Sequence, residues 1–211
     1  GEAGGFELRD GPFLRFCAQA AADPDRRHVL LIDEINRGNV SQIFGELFVL
    51  LESDKRGTRN AITPLYRRSD DERLGVPDNL YVVGTMNIAD RSLALVDFAL
   101  RRRFSFLTLE PRFGEQRFRH WLTERKLKPT LVDRIVSRMG ELNDEIASDL
   151  RLGPAFRVGH SFFCPKGDDF SGLDENWFAD VVTMEIAPLL EEYWYDEPAK
   201  AASARDRLLK D

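Results

Sequence analysis

The sequence predicts an α/β segment followed by an all-helical one, and three observations carry that prediction. HVLLIDEI (28–35) and NLYVVGTMN (79–87) run through consecutive aliphatic residues without polar alternation. That is the pattern of strands buried on both faces of a parallel sheet. Beyond Pro111 the pattern changes to helical periodicity, over roughly 114–126, 129–149, 175–196 and 199–209. The change places a boundary near 111, giving an α/β part over 1–111 and a helical part over 112–211.

Element by element, FELRDGPF (6–13) reads as two short extended pieces around an Asp-Gly turn. Leu14 to Ala22 reads as a helix, stopped by Asp23-Pro24. The strand 28–35 follows. From Val40 to Ser53 apolar residues recur at 40, 43, 44, 47, 48, 50 and 51, a broad helical stripe. Residues 54–79 are polar, rich in Arg and Asp, and read as a surface hairpin built on AITPLY and RLGVP. After the second strand, Ser92 to Arg103 reads as a helix with Leu93, Val96 and Leu100 on one face. FSFLTLE (104–110) reads as a third strand.

Composition removes several function classes. With 43% hydrophobic and 31% charged residues over 211 positions, the chain suits one domain, or one plus a small second. No apolar run approaches the roughly 18 residues a membrane helix needs. Cys17 and Cys164 lack metal-site spacing and suit a reducing cytoplasm. His28, His120 and His160 are scattered, which argues against zinc. A net charge of −6 is wrong for a module that holds duplex DNA by itself. No pairing of acids and a lysine on adjacent strands suggests a nuclease.

The chemistry concentrates at strand ends. Asp33 and Glu34 close the first strand, where α/β proteins bind ligands. Mg²⁺ needs only one or two carboxylates and keeps its waters, so Asp33 suffices as its ligand. Glu34 can polarise a water for attack on a phosphoryl group. A solvated acidic strand end is the plainer alternative. Asn87 closes the second strand, where an amide can bond a phosphate oxygen and an attacking water. Asp90 and Ser92 suit the turn and helix cap that follow. Arg101, Arg102 and Arg103 end a helix. Its dipole favours cations by about 0.3–1 kcal/mol each, but three in a row exceed what capping needs. Arg37 is placed to pair with Asp90 or to face a neighbouring subunit. Arg157 and His160 in FRVGHSFF (156–163) either face a nucleotide or are structural.

Together, a strand ending in DE, a strand ending in Asn, a helix ending in arginines and a helical second part resemble the AAA+ NTPases. More narrowly, DEINRGN, ESDKRG, MNIADRSLALVDFALRRRFSF, FRVGHSFF and IAPLLEEYW resemble the McrB-type GTPases, motor subunits of McrBC-type modification-dependent restriction systems. The resemblance covers the chain from about residue 5. Its most specific part is DEIN followed about fifty residues later by MNIADRS and ALRRRF.

That resemblance implies a partial AAA+ core with a C-terminal helical lid. It makes Asp33 the Walker B magnesium ligand, Glu34 the catalytic base and Asn87 the first sensor. Arg102 and Arg103 become the candidates for an arginine finger acting in trans, and Arg157 a second-sensor candidate. It implies Mg²⁺ with GTP, or with ATP if the chain is closer to MoxR-like remodelling proteins. It also implies a ring, usually a hexamer, a McrC-like nuclease partner, and contact with DNA through a domain upstream. A non-hydrolysing assembly module is the alternative from another class. Two departures stand out. Ile88 replaces the usual Thr of MNTADRS, and no GxxxxGK[ST] phosphate loop occurs anywhere. The chain is therefore expected to start after that loop in a longer protein and to hydrolyse nucleotide poorly alone.

Overall fold

The computed structural model describes residues 7–87, 98–165, 167 and 170–210. Contacts divide the chain into two units, Gly1–Leu107 and Thr108–Asp211, a few residues before the boundary expected at 111.

The first unit opens with α1 (Pro12–Ala22). Among the described residues Asp10-Gly11 makes no hairpin. Gly11 is extended and precedes a proline that serves as first helical residue, where its fixed φ and missing N–H cost nothing. The two strands, β1 (His28–Ile32) and β2 (Leu80–Gly84), pair in parallel from His28 with Leu80 to Ile32 with Gly84. Asn79 fixes where β2 begins. Its side-chain amide donates to the carbonyls of Ala20, Asp23 and Arg26 at 2.8–2.9 Å, and its own carbonyl accepts from His28 N–H.

Between the strands, α2 (Val40–Phe44) is capped by Asn39, whose side chain accepts from Gln42 N–H at 3.0 Å. Gly45, at φ +52°, ends the α-helix, and the chain tightens into a 3₁₀ stretch over Gly45–Leu51. Its Leu47, Phe48, Leu50 and Leu51 stay buried, so the apolar stripe read from the sequence survives the change of helix type. Arg56 holds the end of this stretch, donating to Leu51 O and Leu80 O. The surface hairpin is reduced to one antiparallel bridge, Ile62 to Leu74. The helix expected from Ser92 is seen as α3 (Phe98–Arg103), because 88–97 lie outside the described residues.

Two further expectations fail here. The strands are not buried on both faces: Val29, Leu31, Tyr81 and Val83 are 57%, 64%, 44% and 47% exposed. Leu30, Ile32, Leu80 and Val82 on the other face are buried or half-buried, and Leu80 packs with Cys17, Leu47 and Val76. FSFLTLE forms no strand among the described residues. Phe106, Leu107 and Leu109 stand exposed, and no strand among the described residues pairs with them to complete a ladder.

The second unit is helical: α4 (Gln116–Glu124), α5 (Pro129–Ser148), α6 (Glu175–Val181), α7 (Ala187–Tyr193) and α8 (Pro198–Leu209). α5 and α8 both start on proline, and Asp174 caps α6 by accepting from Asn176 and Trp177 N–H. A π turn over Val182–Ile186 joins α6 to α7, so the expected helix 175–196 is nearly continuous. One core fills the unit, with Ile135, Met139 and Ile146 of α5 against Phe178, Val182, Leu190, Trp194 and Leu208. Among the described residues no helix is long and apolar enough to cross a membrane, and both cysteines are free.

Candidate nucleotide site

The parallel register brings the C-terminal ends of β1 and β2 together, and with them the first candidate groups. Past Ile32 the chain leaves the strand through Asp33 and turns at Glu34, which adopts the left-handed conformation (φ 52°, ψ 47°). For a residue with a side chain that costs roughly 1–2 kcal/mol. The turn is held by Thr85. Its hydroxyl donates to Asp33 Oδ1 and accepts from Glu34 N–H at 3.1 Å. Its carbonyl accepts from Ile35 N–H at 2.9 Å, and its N–H donates to Ile32 O at 3.0 Å.

Asp33 is exposed, and Glu34 is half-exposed and pairs with Arg37, Nε to Oε2, at 2.6 Å. Both partners of that pair are well solvated, so it is worth about 0–1 kcal/mol and opens cheaply. Of the two alternatives for Arg37, the described residues show a local ion pair with Glu34; Asp90, Ser92 and Ile88 lie outside them. Asn87 is exposed, two residues beyond Thr85 in the chain.

The donor set fits a hard cation. Asp33 offers a solvent-facing carboxylate, with the Thr85 hydroxyl beside it. Among the described residues no group of three or more His, Cys, Asp or Glu is arranged to hold a metal. A magnesium ion held by one carboxylate, its waters and phosphate oxygens needs no such cage.

The three arginines ending α3 have different surroundings. Arg103 is mostly buried, with Nη2 3.0 Å from Glu52 Oε1 and its guanidinium 4.4 Å from the Phe48 ring centroid. Arg101 lies 6.0 Å from the Phe106 ring. Arg102 is exposed.

In the second unit, Asn143 is buried and exchanges two hydrogen bonds with Val158, which fixes FRVGH against α5. Arg157 pairs with Glu110 at 3.1 Å. His160 Nδ1 accepts from Arg112 N–H at 3.2 Å, and its ring stands edge-on to Phe113 and Phe118. An accepting Nδ1 between aromatic rings makes His160 part of the packing. Sequence reading missed Thr85. Its signal was available only through register: with Ile32 opposite Gly84, the next residue of each strand is Asp33 and Thr85.

An α/β unit with an acidic pair just past its first strand and an asparagine three residues past its second, followed in the chain by a helical unit, defines the class: an AAA domain with a lid. Residues 2–104 match the AAA domain (dynein-related subfamily) family, and residues 134–202 match the McrB alpha-helical lid domain. The chain is 46% identical over 208 residues to the type IV methyl-directed restriction enzyme EcoKMcrB subunit of Escherichia coli (strain K12), covering 98% of this chain and 45% of that protein. It is 32% identical over 114 residues to the type II restriction enzyme BsuMI component YdiS of Bacillus subtilis (strain 168), covering 50% of this chain and 33% of that one. The chain belongs to the McrB-like AAA+ family. It spans less than half the length of these curated relatives.

Proposed function

We propose that this chain is the hydrolytic portion of a GTP-driven motor in a modification-dependent restriction system, with residues 1–111 as partial core and 112–211 as lid. The observation that carries the reading is the Asp33–Glu34 turn at the ends of paired parallel strands, held by Thr85 two residues before Asn87. The likeness to a restriction-enzyme subunit over nearly the whole chain supports the biological setting.

In this reading Asp33 holds Mg²⁺, which supplies charge neutralisation at the phosphates when bound. Glu34 leaves Arg37, orients a water and takes its proton as the water oxygen bonds the γ-phosphorus and the bond from that phosphorus to the β–γ bridging oxygen breaks, releasing the nucleoside diphosphate and inorganic phosphate. Asn87 bonds the γ-phosphate and that water. Arg102, exposed, is the better finger for a neighbouring subunit's nucleotide, while Arg103 holds α3 to Glu52 and Phe48. Arg157 serves from the lid, exchanging Glu110 for phosphate. The chain contains no phosphate loop of the GxxxxGK[ST] type, and alone it hydrolyses poorly. In the intact protein the cycle drives DNA translocation and cleavage by a McrC-like nuclease, from a ring of about six copies, in the cytoplasm.

The test is phosphate release by the intact protein with GTP and with ATP. Glu34→Gln is expected to lower the GTP rate by about 10²-fold or more while nucleotide still binds. An unchanged rate would favour a non-hydrolysing assembly module. A preference for ATP would move the chain toward remodelling ATPases.

A further inference from the structure

We infer that Thr85 is a positioning residue for hydrolysis, holding Asp33 and Glu34 in their working geometry; this rests on the reading of Glu34 as base. All its polar groups point at one four-residue stretch. The backbone N–H goes to Ile32 and the carbonyl to Ile35, and the hydroxyl joins Glu34 N–H to the Asp33 carboxylate.

The two backbone bonds would form with any residue but proline at this position. The hydroxyl bonds would not. They meet the two features of the turn that need support. Glu34 holds a left-handed backbone that side chains disfavour, and its N–H at that bend is satisfied by Thr85 Oγ1. Asp33 follows the strand's last residue, and the hydroxyl proton fixes one carboxylate oxygen while leaving the other outward. A single oxygen thereby sets the rotamer of the metal acid and the direction in which the Glu34 side chain leaves the backbone. Serine can supply the same two bonds. Valine matches threonine in shape and supplies neither.

The experiment compares Thr85→Val and Thr85→Ser in the intact protein, alone and with Glu34→Gln. Melting temperature and nucleotide affinity are recorded beside kcat and KM. Thr85→Val is expected to lower kcat by about 10–100-fold, with KM for nucleotide within about threefold, and Thr85→Ser to recover most of the rate. Added to Glu34→Gln, Thr85→Val should cost clearly less than it does alone, because part of its effect acts through Glu34 and only the part through Asp33 remains. Wild-type turnover by Thr85→Val, equal losses in Val and Ser, or full additivity with Glu34→Gln would each overturn the inference. A drop in melting temperature that Thr85→Ser does not repair would overturn it too, by assigning the residue to folding. If Glu34→Gln keeps full activity, the base assignment fails instead, whatever Thr85 does.

Discussion

The two units bury their apolar residues very differently. The helical unit closes around one contiguous core that runs through α4, α5, α6, α7 and α8. The α/β unit has two smaller clusters, one under α1 and one around α2 and Leu100, and leaves one sheet face open. The unit with the weaker packing carries the acidic pair, Asn87 and the arginine helix. If the proposed site is right, stability and chemistry are separated along the chain, and substitutions should separate them as well. All three tryptophans, Trp121, Trp177 and Trp194, lie in the helical unit, so tryptophan fluorescence reads its unfolding selectively.

The largest effect is expected in the helical core. Phe178 is 1% exposed, stacks on Phe163 with centroids 5.8 Å apart, and lies under the Arg134 guanidinium. Phe178→Ala should cost about 3–5 kcal/mol in urea denaturation followed by tryptophan emission. A loss under about 1 kcal/mol would mean that this core is no tighter than the clusters of the α/β unit.

A smaller effect, tied to pH, sits at Asp149, just past α5. Its buried carboxylate accepts from Lys200 Nζ at 2.5 Å, Trp194 Nε1 at 2.9 Å and Arg151 N–H at 2.8 Å. The Lys200 ammonium, then the indole and the backbone N–H, hold its pKa well below the ordinary carboxylate range. Because the folded value lies below the unfolded one, this stabilisation is complete above about pH 4 and fades as pH falls through the folded value. Asp149→Asn should therefore destabilise the helical unit by about 1–3 kcal/mol at pH 7 and flatten the acid limb of its stability profile. An unchanged acid limb would remove Asp149 as the link between α5, Trp194 and α8.

The same contrast governs what was legible. The helical unit reads well from sequence because its signals are local: a 3.6-residue period, Pro129 and Pro198 at helix starts, Asp174 at a cap. In the α/β unit the strands were legible and their surroundings were not. HVLLI says which residues suit a buried strand, while coverage depends on other elements. FSFLTLE has strand propensity, yet a strand exists only when a partner completes its ladder. In the site, Asp33, Glu34 and Asn87 could be singled out as polar residues closing apolar runs. Thr85 could not, because its role lies in cross-strand register. The burial of Arg103 against Phe48, and of His160 between two phenylalanines, is likewise tertiary.

The smallest effect tests the open sheet face. Leu31 is 64% exposed, and Val29, Tyr81 and Val83 beside it share that face. Leu31→Thr removes apolar surface that is already mostly in water and introduces a β-branched side chain suited to a strand. It should change the hydrogen-exchange protection of the β1 and β2 amides by no more than about 0.5 kcal/mol. Leu30→Ala, one residue away on the half-buried face, should reduce it by about 1–2 kcal/mol. Nearly equal losses at the two positions would mean that the outer face is packed in solution, and the contrast between the units would then be one of partners and not of intrinsic packing.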